Sequence, residues 1–118
     1  MNKKFTKNKV VVITGGAKKI GRSTALKLAE QGFNILIHTG GKSINDAKET
    51  IKLIKKFEVK AGHVQGDLAN IKTIKKIKIA AEQLGVPSIL INNAGLRIHD
   101  NFEKIKYKDW KKVMSVNV

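Results

Sequence analysis

The chain has 118 residues, with 24 Lys and Arg against 9 Asp and Glu for a formal charge of +15, and no cysteine. That length supports one domain around a single apolar core, and the missing cysteine excludes disulfides, thiolate metal sites and redox pairs. The basic excess is almost all lysine; only Arg22 and Arg97 offer guanidinium forks, and no basic cluster is interleaved with aromatics, which argues against a nucleic-acid partner.

The basic start MNKKFTKNK leads into an apolar run that Thr14-Gly15-Gly16 breaks too early for a secretory core or a membrane span, so a soluble, cytoplasmic protein with no membrane partner is expected. That run, Lys9 to Thr14 (KVVVIT), is continuously apolar, as a strand covered on both faces should be. A small-residue turn follows, then a predicted helix over Ile20 to Gln31 that Gly32 stops. Phe33 to His38 (FNILIH) reads as the second strand. Ser43 is placed to cap a helix running to about Phe57, with Ile44, Ala47, Ile51 and Ile54 on one core-facing stripe. Val59 to Gln65 is the third strand. Asn70 caps a third helix ending before Gly85 and Pro87, with Ile71, Ile74, Ile77 and Ala81 as its stripe. Ser88 to Asn92 (SILIN) is the fourth strand, and beyond a loop a further helix begins near Asp109 and is still in progress at Val118.

The order is βαβαβαβ plus the start of another helix. Right-handed crossovers turn it into an α/β fold, a doubly wound parallel sheet of Rossmann type, expected to form one domain over residues 1–118. At the end of the first strand, Thr14-Gly15-Gly16-Ala17-Lys18-Lys19-Ile20-Gly21 opens a helix. Glycines there let backbone approach a pyrophosphate, and the helix N-terminus supplies unpaired N–H groups and partial positive charge. A tight strand-to-helix connection with no ligand would look the same on this motif alone.

Three further motifs follow in order: Asp67-Leu68 after strand three, Asn92-Asn93-Ala94-Gly95 after strand four, and Asn117 in SVNV. With the TGGAKKIG loop, these make the chain resemble the short-chain dehydrogenase/reductase family, whose loop reads TGxxxGxG. Lys19 stands where the family has its middle glycine, and the Lys18-Lys19 pair is similar to the loop of pteridine reductases. The resemblance implies that Gly15, Gly16, Ala17, Lys18, Lys19, Ile20 and Gly21 hold the coenzyme diphosphate. It also implies that Asp67 and Leu68 meet the adenine, and that Asn93, Ala94 and Gly95 run beneath the nicotinamide ribose.

An acidic residue closing strand two would accept from the ribose hydroxyls and repel a 2′-phosphate. Here the strand ends Ile37-His38-Thr39-Gly40-Gly41-Lys42-Ser43, and the first carboxylate, Asp46, lies inside the next helix. Lys42, Ser43 and the Lys18-Lys19 pair can bond that phosphate, so NADP(H) is expected over NAD(H). His38 is either a coenzyme contact or a strand-end histidine facing water; pteridine-reductase-like members also show a histidine here.

Tyr107 and Lys111 stand at the Tyr-x-x-x-Lys spacing that the family uses for proton transfer, but Tyr107 lies ten positions before Asn117 rather than well after it. They read instead as the first turn of the last helix, Tyr107-Lys108-Asp109-Trp110, and Ser115 as a helix residue. Only Asn117, which the family uses to hold a water in the proton path, keeps a catalytic assignment. The resemblance therefore implies the coenzyme-binding half of a reductase acting on a small-molecule carbonyl or pteridine. The family's catalytic Ser, Tyr and Lys have no counterpart in this sequence, and the chain alone should not turn over. The complete protein is expected to be a homo-oligomer. A non-catalytic nucleotide-binding or regulatory module is the other reading.

Overall fold

The computed structural model describes residues 4–17, 19–41 and 43–93. In chain order it runs β1 (Lys9–Thr14), α1 (Lys19–Glu30), β2 (Asn34–Thr39), α2 (Ile44–Lys55), β3 (Ala61–Gln65), α3 (Ile71–Leu84) and β4 (Val86–Asn92). The strands form a parallel sheet in the order β3-β2-β1-β4. The doubly wound α/β expectation holds, whereas the helix expected from Asp109 lies outside the described residues.

Alternation along each strand sorts the core into two layers, because successive side chains point to opposite faces. Val10, Val12, Leu36 and Val64 pack with Ile74, Ile77 and Ala81 of α3 on one face. Val11, Ile13, Ile35 and Ile37 pack with Ala25 and Ala29 of α1 and with Ala47 and Ile54 of α2 on the other. Covering both faces is why β1 needs an unbroken apolar run.

Helix ends follow local chemistry, with one exception. Gly32, at φ 103°, closes α1 by a Schellman arrangement: its N–H donates to the Ala29 carbonyl at 2.9 Å and that of Phe33 to Leu28 at 3.2 Å. The Asn70 side chain caps α3, accepting from the Lys72 N–H at 2.9 Å. Ser43, expected to cap α2, occupies the cap position but makes no side-chain capping bond. Its ψ of 30° is not the extended geometry that turns a hydroxyl onto the helix amides.

Packing departs from the sequence pattern at two places. Ile44 and Ile71, predicted as the first members of core stripes, are each 46% exposed. Each is the first residue of its helix, and the buried Thr50 and Thr73 share those inner faces instead. β4 starts at Val86 rather than Ser88, so Pro87 lies inside it, opposite Val10 where the register shifts. Proline donates no ladder hydrogen bond, and a bulge on a strand with one partner among the described residues tolerates that.

Candidate functional site

The chain builds β1, β2 and β3 outward in one direction, then crosses back to place β4 on the other side of β1. The carboxyl ends of β1 and β4 are therefore a topological switch point, where open parallel sheets leave a crevice for ligands. Thr14 ends β1 there and Asn92 ends β4, with Gly15 and Asn93 directly after them. The Asn93 backbone N–H donates to Thr14 Oγ1 at 2.9 Å, and Asn93 Nδ2 donates to the Gly15 carbonyl at 3.2 Å. Asn93 thus fastens the end of β4 to the turn.

Within the turn, Gly15 has φ 66°, a left-handed conformation that glycine adopts without steric cost. The N–H groups of Gly15 and Gly16 both donate to the His38 carbonyl, at 2.8 and 3.2 Å. Those two amides bend the chain over β2, so donors for an anion come from the start of α1, whose first N–H groups have no intrahelical partner. Gly21 brings that first turn close. A Cβ there would lie 2.7 Å from Gly16 Cα and 3.1 Å from Asn93 Nδ2, besides striking the Gly15 carbonyl oxygen.

Lys19, the first residue of α1, has φ 57°. It keeps the left-handed backbone of a glycine while carrying a side chain, and it is exposed. Ile20 beside it is 74% exposed, and Ala17 is buried at 2%. Turn, glycine packing and helix start together have the geometry to fit a dinucleotide diphosphate, and Lys19 stands exposed at that helix start. Lys18, Lys42, Ala94, Gly95 and Asn117 lie outside the described residues, as do Tyr107 and Lys111.

His38 does not face water. The residue is 2% exposed, and Nε2 lies 2.8 Å from the Gly66 carbonyl, a bond that requires Nε2–H and leaves Nδ1 as an acceptor. Nδ1 is buried without a hydrogen-bond partner. Burial pulls the His38 pKa below 6.5, opposed by the Gly66 carbonyl and the charge of Asp67. On the neighbouring strand, His63 Nε2 is 2.7 Å from Thr39 Oγ1, and burial followed by the charge of His38 lowers its pKa as well.

Asp67 and Leu68 part company. Asp67 is exposed, with Oδ1 accepting from the Ala69 N–H at 2.9 Å. Leu68, expected at an adenine ring, is 3% exposed and packs with Val64 and Ile74 in the α3 layer, which leaves Asp67 as the outward member of the pair. Ser43, half-buried at the start of α2, keeps its hydroxyl out of capping.

Two residues beside the turn carry no site role in the sequence reading. Thr50 is fully buried, and its hydroxyl donates to the Ala17 carbonyl at 2.5 Å. Arg22 Nε donates to Thr50 Oγ1 at 2.8 Å and to the Ala17 carbonyl at 3.2 Å. The available signals were a threonine on the apolar stripe of α2 and an arginine in a lysine-rich chain. Away from the switch point, a cleft of about 550 Å³ lined by Lys4, Lys7, Asn34 and Phe57 lies at the amino ends of the strands, the wrong end for this kind of site.

A family model described as short chain dehydrogenase matches residues 9–118. The chain belongs to that family. It is 33% identical over 112 residues to a 3-oxoacyl-[acyl-carrier-protein] reductase of Staphylococcus epidermidis, covering 94% of this chain and 46% of the relative. To an L-rhamnose 1-dehydrogenase (NADP(+)) of Thermoplasma acidophilum it is 39% identical over 113 residues, covering 95% and 44%. Among solved structures, a putative dehydrogenase from Burkholderia cenocepacia with bound NADP superposes with a TM-score of 0.68 at 28% identity, covering 80% of this chain and 41% of that one. The chain thus spans less than half the length of these curated relatives. Short-chain dehydrogenases are NAD(P)-binding oxidoreductases acting on small molecules. Among the described residues no helix is long and apolar enough to cross a membrane, and no three metal-ligating side chains cluster.

Proposed function

We propose that this chain is the coenzyme-binding part of an NADP(H)-dependent oxidoreductase that interconverts a small-molecule carbonyl and its alcohol. The bound nicotinamide would supply or accept the hydride. This chain's own residues bind and orient: the first-turn amides of α1 and the Lys19 ammonium neutralise the diphosphate, and Asp67 accepts from the adenine amine. Asn93 keeps the end of β4 against the turn. Reduction of a pteridine-type imine is the second reading, favoured by the basic pair at Lys18 and Lys19.

One observation carries the choice of NADP(H): no carboxylate stands at the end of β2. His38, Thr39, Gly40 and Gly41 follow one another there, and Ser43 leaves its hydroxyl and the first amides of α2 uncommitted to a side-chain cap. A 2′-phosphate would meet donors and no carboxylate at the strand end, the nearby Asp46 and Glu49 carboxylates facing the Arg22 guanidinium at 3.9 and 3.8 Å, with Lys42 supplying a further cation. Fluorescence titration with NADPH and NADH tests this. NADPH should bind at least about tenfold tighter, the worth of one charge-assisted hydrogen bond. Equal affinities would refute the phosphate argument.

A further inference from the structure

We infer that Thr50 and Arg22 are positioning residues that set the spacing between the two ends of the coenzyme site, the turn after β1 and the start of α2. This role rests on the dinucleotide reading of the site. What points to it is a hydrogen-bond network that joins three pieces of chain through one buried carbonyl.

That carbonyl belongs to Ala17. It accepts from Thr50 Oγ1 at 2.5 Å and from Arg22 Nε at 3.2 Å, and Arg22 Nε also reaches Thr50 Oγ1 at 2.8 Å. The same guanidinium extends Nη2 to the Asp46 carbonyl, 3.2 Å away in the first turn of α2. The carboxylates of Asp46 and Glu49 stand 3.9 and 3.8 Å from its terminal nitrogens. A planar fork can bridge two backbone carbonyls in a fixed geometry, which a lysine ammonium on a flexible stem cannot. Thr50 is fully buried, so its hydroxyl is held in one orientation and has no water to exchange with.

Orienting the Ala17 carbonyl fixes the end of the turn on the α1 side. Tying Arg22 to Asp46 then locks α1 against the end of α2 that follows Ser43. Pyrophosphate engages only the first end of the site and a 2′-phosphate only the second, while NADP+ must engage both at once. Loosening the network therefore penalises the whole ligand more than either half, because the halves bind without needing a set distance between subsites.

The experiment uses Thr50→Val, which keeps volume but removes the hydroxyl, and Thr50→Ser, which restores it. NADP+, inorganic pyrophosphate and adenosine 2′-monophosphate are titrated by calorimetry or NMR into each full chain. For Thr50→Val, NADP+ affinity should fall about tenfold while the two half-ligands stay within about twofold, and Thr50→Ser should recover most of the loss. If Thr50→Val does not fold, Arg22→Lys on the half-exposed side of the network should give the same pattern. Equal weakening of all three ligands, or unchanged NADP+ binding, overturns the inference. An unaltered chain that binds no NADP+ refutes the coenzyme reading itself, and this inference with it.

Discussion

Lys19 offers a test in which backbone and charge give opposite signs. Its φ of 57° puts a side chain in the left-handed region, where Cβ crowds the following carbonyl at a cost of about 1–2 kcal/mol. Lys19→Gly removes that cost but returns roughly 0.5–1 kcal/mol through the freer unfolded chain. Lys19→Ala keeps the strain and loses only the ammonium. Glycine should therefore be about 0.5–1 kcal/mol more stable than alanine at this position, or roughly 2–8 °C in Tm for a domain of this size. In a helix interior the order is reversed, with glycine about 1 kcal/mol worse. Urea denaturation of the two variants measures the difference, and NADPH titration supplies the second axis. Both variants should weaken NADPH by a similar factor, about tenfold, since both lack the cation beside the diphosphate. Alanine as stable as glycine would show that the backbone at 19 is not left-handed, and unchanged NADPH affinity would remove the ammonium from the site.

Other consequences are equally direct. Gly21→Ala forces a Cβ against the Gly15 carbonyl oxygen and to 2.7 Å from Gly16 Cα, backbone atoms that cannot swing aside. A loss of about 1–3 kcal/mol is expected by thermal melting, and an unchanged Tm would contradict the close packing. Asn70→Ala should cost about 1 kcal/mol, because a capping bond is lost, whereas Ser43→Ala should stay within about 0.5 kcal/mol. The opposite ranking in denaturant midpoints would overturn the cap assignments. Burial lowers the pKa of both His38 and His63 below 6.5, so as pH falls the unfolded chain takes up protons before the folded one. Above pH 6.5 the two rings leave stability unchanged; below it stability should drop, levelling off once pH passes the folded-state values. Urea midpoints at neutral and mildly acidic pH check this, and His38→Gln with His63→Gln should flatten the profile; a drop that persists unchanged in that double variant would exonerate the histidines.

Period and punctuation made the scaffold legible in the sequence. KVVVIT is short, rich in β-branched residues and followed by a glycine turn, which reads as a strand covered on both faces, and Asn70 and Gly32 mark helix ends through chemistry confined to a few neighbouring residues. The small-residue turn ending in Gly21 was legible for the same reason, since close approach of backbone to backbone demands residues without side chains. What the sequence could not decide was where a polar group sends its hydrogen bonds across the fold. His38, placed at a strand end, is instead buried against Gly66, because the parallel pairing with β3 brings that carbonyl beside it. Leu68 belongs to the core because α3 folds back over β3. Thr50 and Ala17 lie thirty-three positions apart and meet only when α2 packs beside the turn. Local propensity and periodicity are written in neighbouring residues; long-range pairing depends on packing that brings distant residues together, and it decided which of these groups are buried and which partners they bond.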